Sequence, residues 1–213
     1  MRKVTDHSSG PFKKAVPEKE AQRAAGSRSS PAAAAIPRLT PATDGDVPAI
    51  AALMNLAYRG GGNDAGWTSE TDCLAGNRTS EAMLREDIAA NPNAMMMIWR
   101  RSPDGALLGC VWLESADDDA WYLGSLSIDP REQNRGLGRK LLAAAESWVF
   151  ERGGREIKMT VINVRDTLLA WYARRGYTPT NEIKPFPYGD NRFGMPKRDD
   201  LNFVVLHKRL CGG

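Results

Sequence analysis

Between residues 47 and 57, Val47, Ile50, Met54 and Ala57 fall three to four positions apart, the spacing of one helix face. Asp46 stands at the cap position, and Pro48 lies in the first turn, where a missing N–H costs nothing. Gly60, Gly61 and Gly62 close that helix. Ser80, with Met83, Leu84 and Ile88 behind it, predicts a second helix that Asn91-Pro92-Asn93 breaks. The rhythm then shortens. MMMIWR (95–100), LLGCVWLES (107–115) and AWYLGSLSID (120–129) read as three strands, joined by a Pro-Asp-Gly turn and an acidic turn through Asp117, Asp118 and Asp119. Helical spacing returns at Leu137, Leu141, Ala145, Trp148 and Val149 and stops at Gly153-Gly154. REIKMTVIN (155–163) reads as a strand. Residues 166–175 read as a helix, with arginines in the last turn facing its negative end and Gly176 as the stop. YTPT (177–180) and LNFVVLHK (201–208) supply the last strands around a Pro-rich loop at 185–196, and a short extended stretch at 37–41 opens the domain. The order is β-α-α-β-β-β-α-β-α-β-β. The strand-helix-strand unit across 120–163 requires a crossover and hence a parallel pair within an α/β sheet.

Composition sets this pattern apart from what precedes it. Residues 1–38 hold eight Lys/Arg against three Asp/Glu, so their net charge of +5 exceeds the +3 of the whole chain and leaves −2 for the rest. With almost no large apolar residues, this stretch cannot bury enough surface to offset its ordering entropy and reads as a disordered basic extension over residues 1–37. The expected domain is 38–213, enough chain for one full core. A nucleic-acid partner for the tail competes with a plain solvated extension, and the slightly acidic domain argues against it. No apolar run of membrane-spanning length and no secretory h-region occurs, so a membrane partner is not expected. Cys73, Cys110 and Cys211 are scattered without CxxC spacing. That fits a reducing, cytoplasmic compartment and offers neither a metal site nor a disulfide framework. His7 and His207 are the two histidines, so histidine-based catalysis has almost nothing to use.

One stretch carries candidate chemistry. In QNRGLGRKLL (133–142), Gly136 and Gly138 lie between a strand and a helix. Glycines there free backbone N–H groups to converge on an anion at a helix N-terminus. Two common nucleotide loops fail on spacing: Leu141 occupies the third glycine position of a dinucleotide loop, and no Lys-Ser/Thr follows a four-residue glycine gap.

Gln133-x-x-Gly136-x-Gly138, preceded by LSIDP (126–130), resembles motif A of the GNAT N-acetyltransferase superfamily, and LLAWYARRGY (168–177) is similar to that superfamily's closing helix. The resemblance implies a GNAT-like α/β fold: a mixed sheet of about six or seven strands, about four flanking helices, and a splayed parallel strand pair. It implies acetyl-CoA as cosubstrate, with the pantetheine arm lying in the splay. Backbone groups of Leu126, Ser127 and Ile128 would pair with the pantetheine amides. Gln133, Asn134, Arg135, Gly136, Leu137, Gly138 and Arg139 would wrap the pyrophosphate. Tyr172 matches the tyrosine that protonates the leaving thiolate, with core packing against Leu168 as the plain alternative. Arg165 departs from the Asn that many members carry seven residues before this Tyr, and Asn163 lies two residues earlier.

The acceptor amine must be neutral to attack. A carboxylate or a water relay would serve, and Glu114 is the best-placed carboxylate in sequence, although an exposed strand residue accounts for it equally. The resemblance places acceptor specificity at Tyr58, Trp67, Glu70 and Arg78 and at Phe186 to Tyr188. Asp64, Glu70 and Asp72 either attract a cationic amine or form a solvated acidic loop. The expected partner is a small-molecule or peptide amine, handled by a monomer or homodimer. A non-catalytic acyl-CoA-binding or protein-interaction module on the same fold is the competing reading.

Overall fold

A computed structural model of the chain describes residues 37–61, 66, 68–116, 119–132 and 135–212, with backbone alone at 191. The basic stretch 1–36 and the expectations for Asp64, Trp67, Asp117, Asp118, Gln133 and Asn134 lie outside the described residues. A seven-stranded mixed sheet runs in the order β1-β3-β4-β5-β6-β9-β7. Its strands are β1 (Thr40–Pro41), β3 (Ala94–Arg100), β4 (Leu107–Ser115), β5 (Ala120–Ile128), β6 (Glu156–Ile162), β7 (Thr178–Pro185) and β9 (Asn202–Arg209). All neighbours are antiparallel except β5 and β6, which are joined by the crossover helix α3 (Leu137–Glu151). The helices α1 (Val47–Arg59), α2 (Glu81–Ala90) and α4 (Asp166–Ala173) complete the set.

Strand alternation distributes these elements between two cores. Met97, Val111, Leu113 and Leu123 face α3 and α4, where Leu141, Ala145, Val149 and Tyr172 complete one cluster. Met96, Ile98, Cys110 and Trp112 face α1 and α2, against Ile50, Leu53, Met54 and Leu84. Both faces of the central strands are covered, which is why their sequences read as continuous apolar runs.

Three expectations are corrected. Asp46 precedes α1 but makes no cap bond to it; its carboxylate accepts from the Thr43 N–H and hydroxyl, each at 2.7 Å, and pairs with Arg100. The strand expected over 177–180 continues through the first proline of the loop, as β7. A two-stranded sheet that no periodicity signalled joins β2 (Leu74–Ala75) to β8 (Met195–Pro196), each only two residues long. Ser80 does cap α2, accepting from the Met83 N–H at 3.2 Å. Among the described residues no helix is long and apolar enough to cross a membrane.

Candidate functional site

The site begins where the parallel pair comes apart. β5 and β6 are in register only at Ala120–Glu156, Trp121–Ile157 and Tyr122–Lys158. Beyond Tyr122, β5 stays on β4 while β6 follows β9 as far as Ile162–Phe203, so the edges of residues 123–128 and 159–162 separate. A bulge accompanies the parting: between Cys110 and Trp112 of β4, β5 advances from Ser127 to Gly124, one residue more than its partner. Ser125 sits in that bulge at φ 49°, an uncommon conformation for a side chain other than glycine. The extra residue changes which side chains face where. Trp121 and Leu123 point toward α3 before it, and Leu126 and Ile128 do so after it.

Two chambers open in the gap. The first, about 470 Å³, is lined by Leu126 and Ile128 of β5, by Gly136, Leu137, Gly138 and Arg139 at the start of α3, and by Leu168, Trp171, Tyr172 and Arg175 around α4. Gly136 precedes α3 at φ 70°, so the turn into the helix uses the left-handed region that glycine enters without strain. A Cβ on Gly138 would meet Trp171 at 3.6 Å, inside the space between α3 and α4. Arg175 stacks 3.6 Å over the Trp171 ring and donates to the Trp171 carbonyl, and its Nε is buried with no hydrogen-bond partner. Burial, then the neighbouring Arg174 and Arg139, push the Arg175 guanidinium below its usual range. Arg139 and Arg175, neither paired with a carboxylate among the described residues, fit a phosphate-bearing ligand beside a glycine-opened helix N-terminus.

The second chamber, about 440 Å³, lies on the other side of the parting and is walled by aromatic residues. Phe186 is buried and stacks near Phe203 at 5.5 Å, with Phe193 and Tyr188 edge-on to it. Distant segments meet here, and Arg59 ties them together. From the end of α1 it bonds the Glu70 carboxylate at 2.5 Å, the Gly76 carbonyl at 3.1 Å and the Phe193 carbonyl at 3.3 Å. Gly194 lets this bundle close, since a Cβ there would come within 2.8 Å of the Ala75 carbonyl. Arg78, Arg165 and Lys184 also line the chamber, and Glu70 is its one carboxylate among the described residues.

Four residues line both chambers: Tyr58, Leu126, Leu168 and Tyr172. The two phenols differ in what holds them. The Tyr58 hydroxyl donates to the Leu126 carbonyl at 3.2 Å. Tyr172 is buried against Trp171 and Tyr177, at centroid distances of 4.9 and 5.6 Å, and no described group bonds its hydroxyl. Burial raises both phenols above the ordinary tyrosine range; Arg78 opposes the shift at Tyr58, whereas Tyr58 and Tyr122 add to it at Tyr172.

Of the residues singled out in sequence, Leu126, Ile128, Gly136, Leu137, Gly138, Arg139 and Tyr172 converge on the first chamber. Arg135 pairs with Glu132 at 2.9 Å and lines neither. The Ser127 side chain faces Cys110 across β4 and bonds the Ser125 carbonyl. Tyr58, Glu70, Arg78 and Phe186 meet at the second chamber. Glu114 accepts from the Trp112 indole at 3.1 Å and lines a separate cavity of about 240 Å³, which touches the second chamber's wall at Arg78, Tyr122 and Ser125. Arg59 and Lys184 carry no signal in the sequence, Arg175 reads there as a helix-end charge, and Arg165 reads only as a departure from the family pattern. The doubled arginine before Gly176 was the available signal for Arg175.

The sequence profile of the acetyltransferase (GNAT) family matches residues 65–177, more than half of the chain. A mycothiol acetyltransferase from Beutenbergia cavernae is 36% identical over 76 residues, a stretch covering 36% of this chain and 26% of that protein. The chain therefore matches about a quarter of that relative's length. The ribosomal-protein-S18-alanine N-acetyltransferase of Escherichia coli superposes with a TM-score of 0.57 at 16% identity, covering 83% of this chain and 95% of that one. A nourseothricin acetyltransferase gives 0.55 at 18% identity, covering 83% and 100%. At these identities the structural likeness speaks for the fold.

Proposed function

The chain belongs to the GNAT acetyltransferase family, and from that membership we propose that it is an N-acetyltransferase moving an acetyl group from acetyl-CoA to a primary amine by direct attack. The observation that supports this most is the pair of chambers that meet at Tyr58, Leu126, Leu168 and Tyr172, one fitted to a phosphate-bearing ligand and one to a separate molecule. Acetyl-CoA supplies an acetyl group already activated as a thioester.

The chain's own residues do the rest. Backbone N–H groups around Gly136 and Gly138, with Arg139 and Arg175, hold the phosphates, and the free edge of β5 at Leu126 and Ile128 receives the pantetheine arm. Bonds from charged donors of this kind contribute about 1.5–3 kcal/mol each. The acceptor enters from the aromatic chamber. Glu70 is committed to Arg59 and Glu114 lies in another cavity, so neither stands ready as a base. The Arg78 guanidinium, which no described carboxylate pairs, favours the neutral amine beside it, and the ammonium proton leaves to solvent. Tyr172 stays protonated because burial disfavours its phenolate, so it would donate its proton to the leaving thiolate and regain one by way of solvent, matching the proton that the nitrogen loses as the amide forms. Tyr58 is already occupied by Leu126 and orients the strand edge instead.

The test is thiol release from acetyl-CoA by the full chain against a panel of amines, run beside calorimetric titration with acetyl-CoA. Binding with amine-dependent release is expected. Binding without release for every amine would leave the non-catalytic acyl-CoA-binding reading in its place.

A further inference from the structure

The charge of the acceptor chamber is opposite to what its loop suggests in sequence. The acidic residues of 64–72 point to a cationic ligand, yet among the described residues the chamber's one carboxylate, Glu70, is neutralised at 2.5 Å by Arg59, and both side chains are largely buried. Three cationic side chains line the same space. Of these, Lys184 pairs with Glu182 at 3.8 Å and Arg165 donates to the Ser69 carbonyl, which leaves Arg78 as the cation to weigh.

Arg78 lies beside residues at the junction of the two chambers. It lies 5.5 Å from the centre of the Tyr58 ring and donates to the Ser125 hydroxyl at 3.4 Å. Tyr58 lines both chambers, and Ser125 is the residue before Leu126, which also lines both. No described carboxylate pairs with Arg78. A half-buried guanidinium held by a ring and one hydroxyl keeps donors in a fork suited to a carboxylate. Beyond it the wall is apolar, formed by Phe186, Phe193 and Phe203.

We infer that the acceptor is a free amine bearing a carboxylate within a few bonds of its nitrogen and an apolar or aromatic body, with Arg78 holding the carboxylate and the phenylalanines holding the body. This rests on the acetyl-transfer reading of the same site. The contacts of Arg78 with Tyr58 and with Ser125, next to Leu126, are what place the anionic group beside the amine, as in an α-amino acid.

The experiment compares kcat/KM of the full chain for L-phenylalanine, L-phenylalaninamide, 2-phenylethylamine, spermidine and a phenylalanyl-glycine dipeptide. L-Phenylalanine is expected to exceed its amide and 2-phenylethylamine by about 10-fold or more, the equivalent of one charge-assisted bond. Arg78→Gln should collapse that ratio to below about threefold, and Arg78→Lys should restore part of it, which a simple loss of folding cannot do. Equal or better turnover of the amide, the dipeptide or spermidine overturns the inference while leaving acetyl transfer intact. An unchanged ratio in Arg78→Gln overturns the assignment of Arg78. Absence of turnover with every amine, despite acetyl-CoA binding, overturns both readings together.

Discussion

The two chambers are of nearly equal size and share four residues, but they are built in opposite ways. The cofactor-side chamber is made mostly from two short runs, 126–139, where strand, glycine turn and helix start follow one another, and 168–175 around α4. The acceptor-side chamber gathers the end of α1, the loop around Glu70, the bulge of β5, the diverging edge of β6 and the 184–193 segment, and Arg59 holds three of these by hydrogen bonds. A site made from contiguous chain depends on local backbone geometry. A site made from dispersed chain depends on whatever ties the pieces together.

That contrast can be broken experimentally, and the largest effect is expected at the tie. Arg59→Met leaves Glu70 buried without its partner and should cost about 3–5 kcal/mol of unfolding free energy. Thermal and urea unfolding would measure the loss, and acetyl-CoA titration at a temperature where the variant is folded should give nearly the wild-type affinity. A matched loss of cofactor affinity would mean the chambers are one unit. Next comes the junction. Tyr172→Phe should lower kcat about 100-fold, within the range of general acid catalysis, and change the acetyl-CoA Kd by less than about threefold. Unchanged kcat would return Tyr172 to a packing role against Trp171 and Tyr177.

A smaller effect is expected from the contiguous side. Gly136→Val forces a β-branched residue to φ 70° and should cost about 1–2 kcal/mol. It should weaken acetyl-CoA about 10-fold while leaving the acceptor KM, read at saturating cofactor, close to wild type. The smallest effect is a pH dependence. Burial raises Tyr58, Tyr172 and Tyr177 in the folded chain, so folding retains phenol protons that the unfolded chain releases near pH ~10. Their contribution to stability is complete below that pH and declines as pH rises above it. Urea unfolding between pH ~9 and pH ~11 should show the decline, shallower in Tyr172→Phe.

The same contrast governs what the sequence made legible. That Gly136, Gly138 and Tyr172 line one chamber is readable because each sits in a motif of neighbours a few residues away, and the strand-helix-strand order alone requires the parallel β5–β6 pair. The acceptor side has no such signal. Pairings of two residues, as between β2 and β8, have no period to detect, and no local pattern says that Arg59 reaches the carbonyl of Phe193. Charge misled for a physical reason: Glu70 counts as acidic in sequence but is cancelled in space, whereas Arg78, Arg165 and Lys184 come from three unrelated elements. Asp46 looked like a helix cap because its position fits one, but Arg100 and Thr43 compete for its carboxylate.

The bulge at Ser125 gives β5 something like a reading frame. A strand is read two residues at a time, and the extra residue shifts the phase, so that Trp121 and Leu123 share a face with Leu126 and Ile128. Removing that extra residue closes the bulge: Cys110–Ser127 and Trp112–Gly124 would then follow in regular alternation, and Leu126 and Ile128 would keep the face they share with Trp121 and Leu123. Removing a second residue would invert the phase, turning Leu126 and Ile128 toward the Cys110 face. The location of this part of the site therefore survives loss of the bulged residue but not of one residue more, a constraint on deletions that no single side chain on the strand expresses.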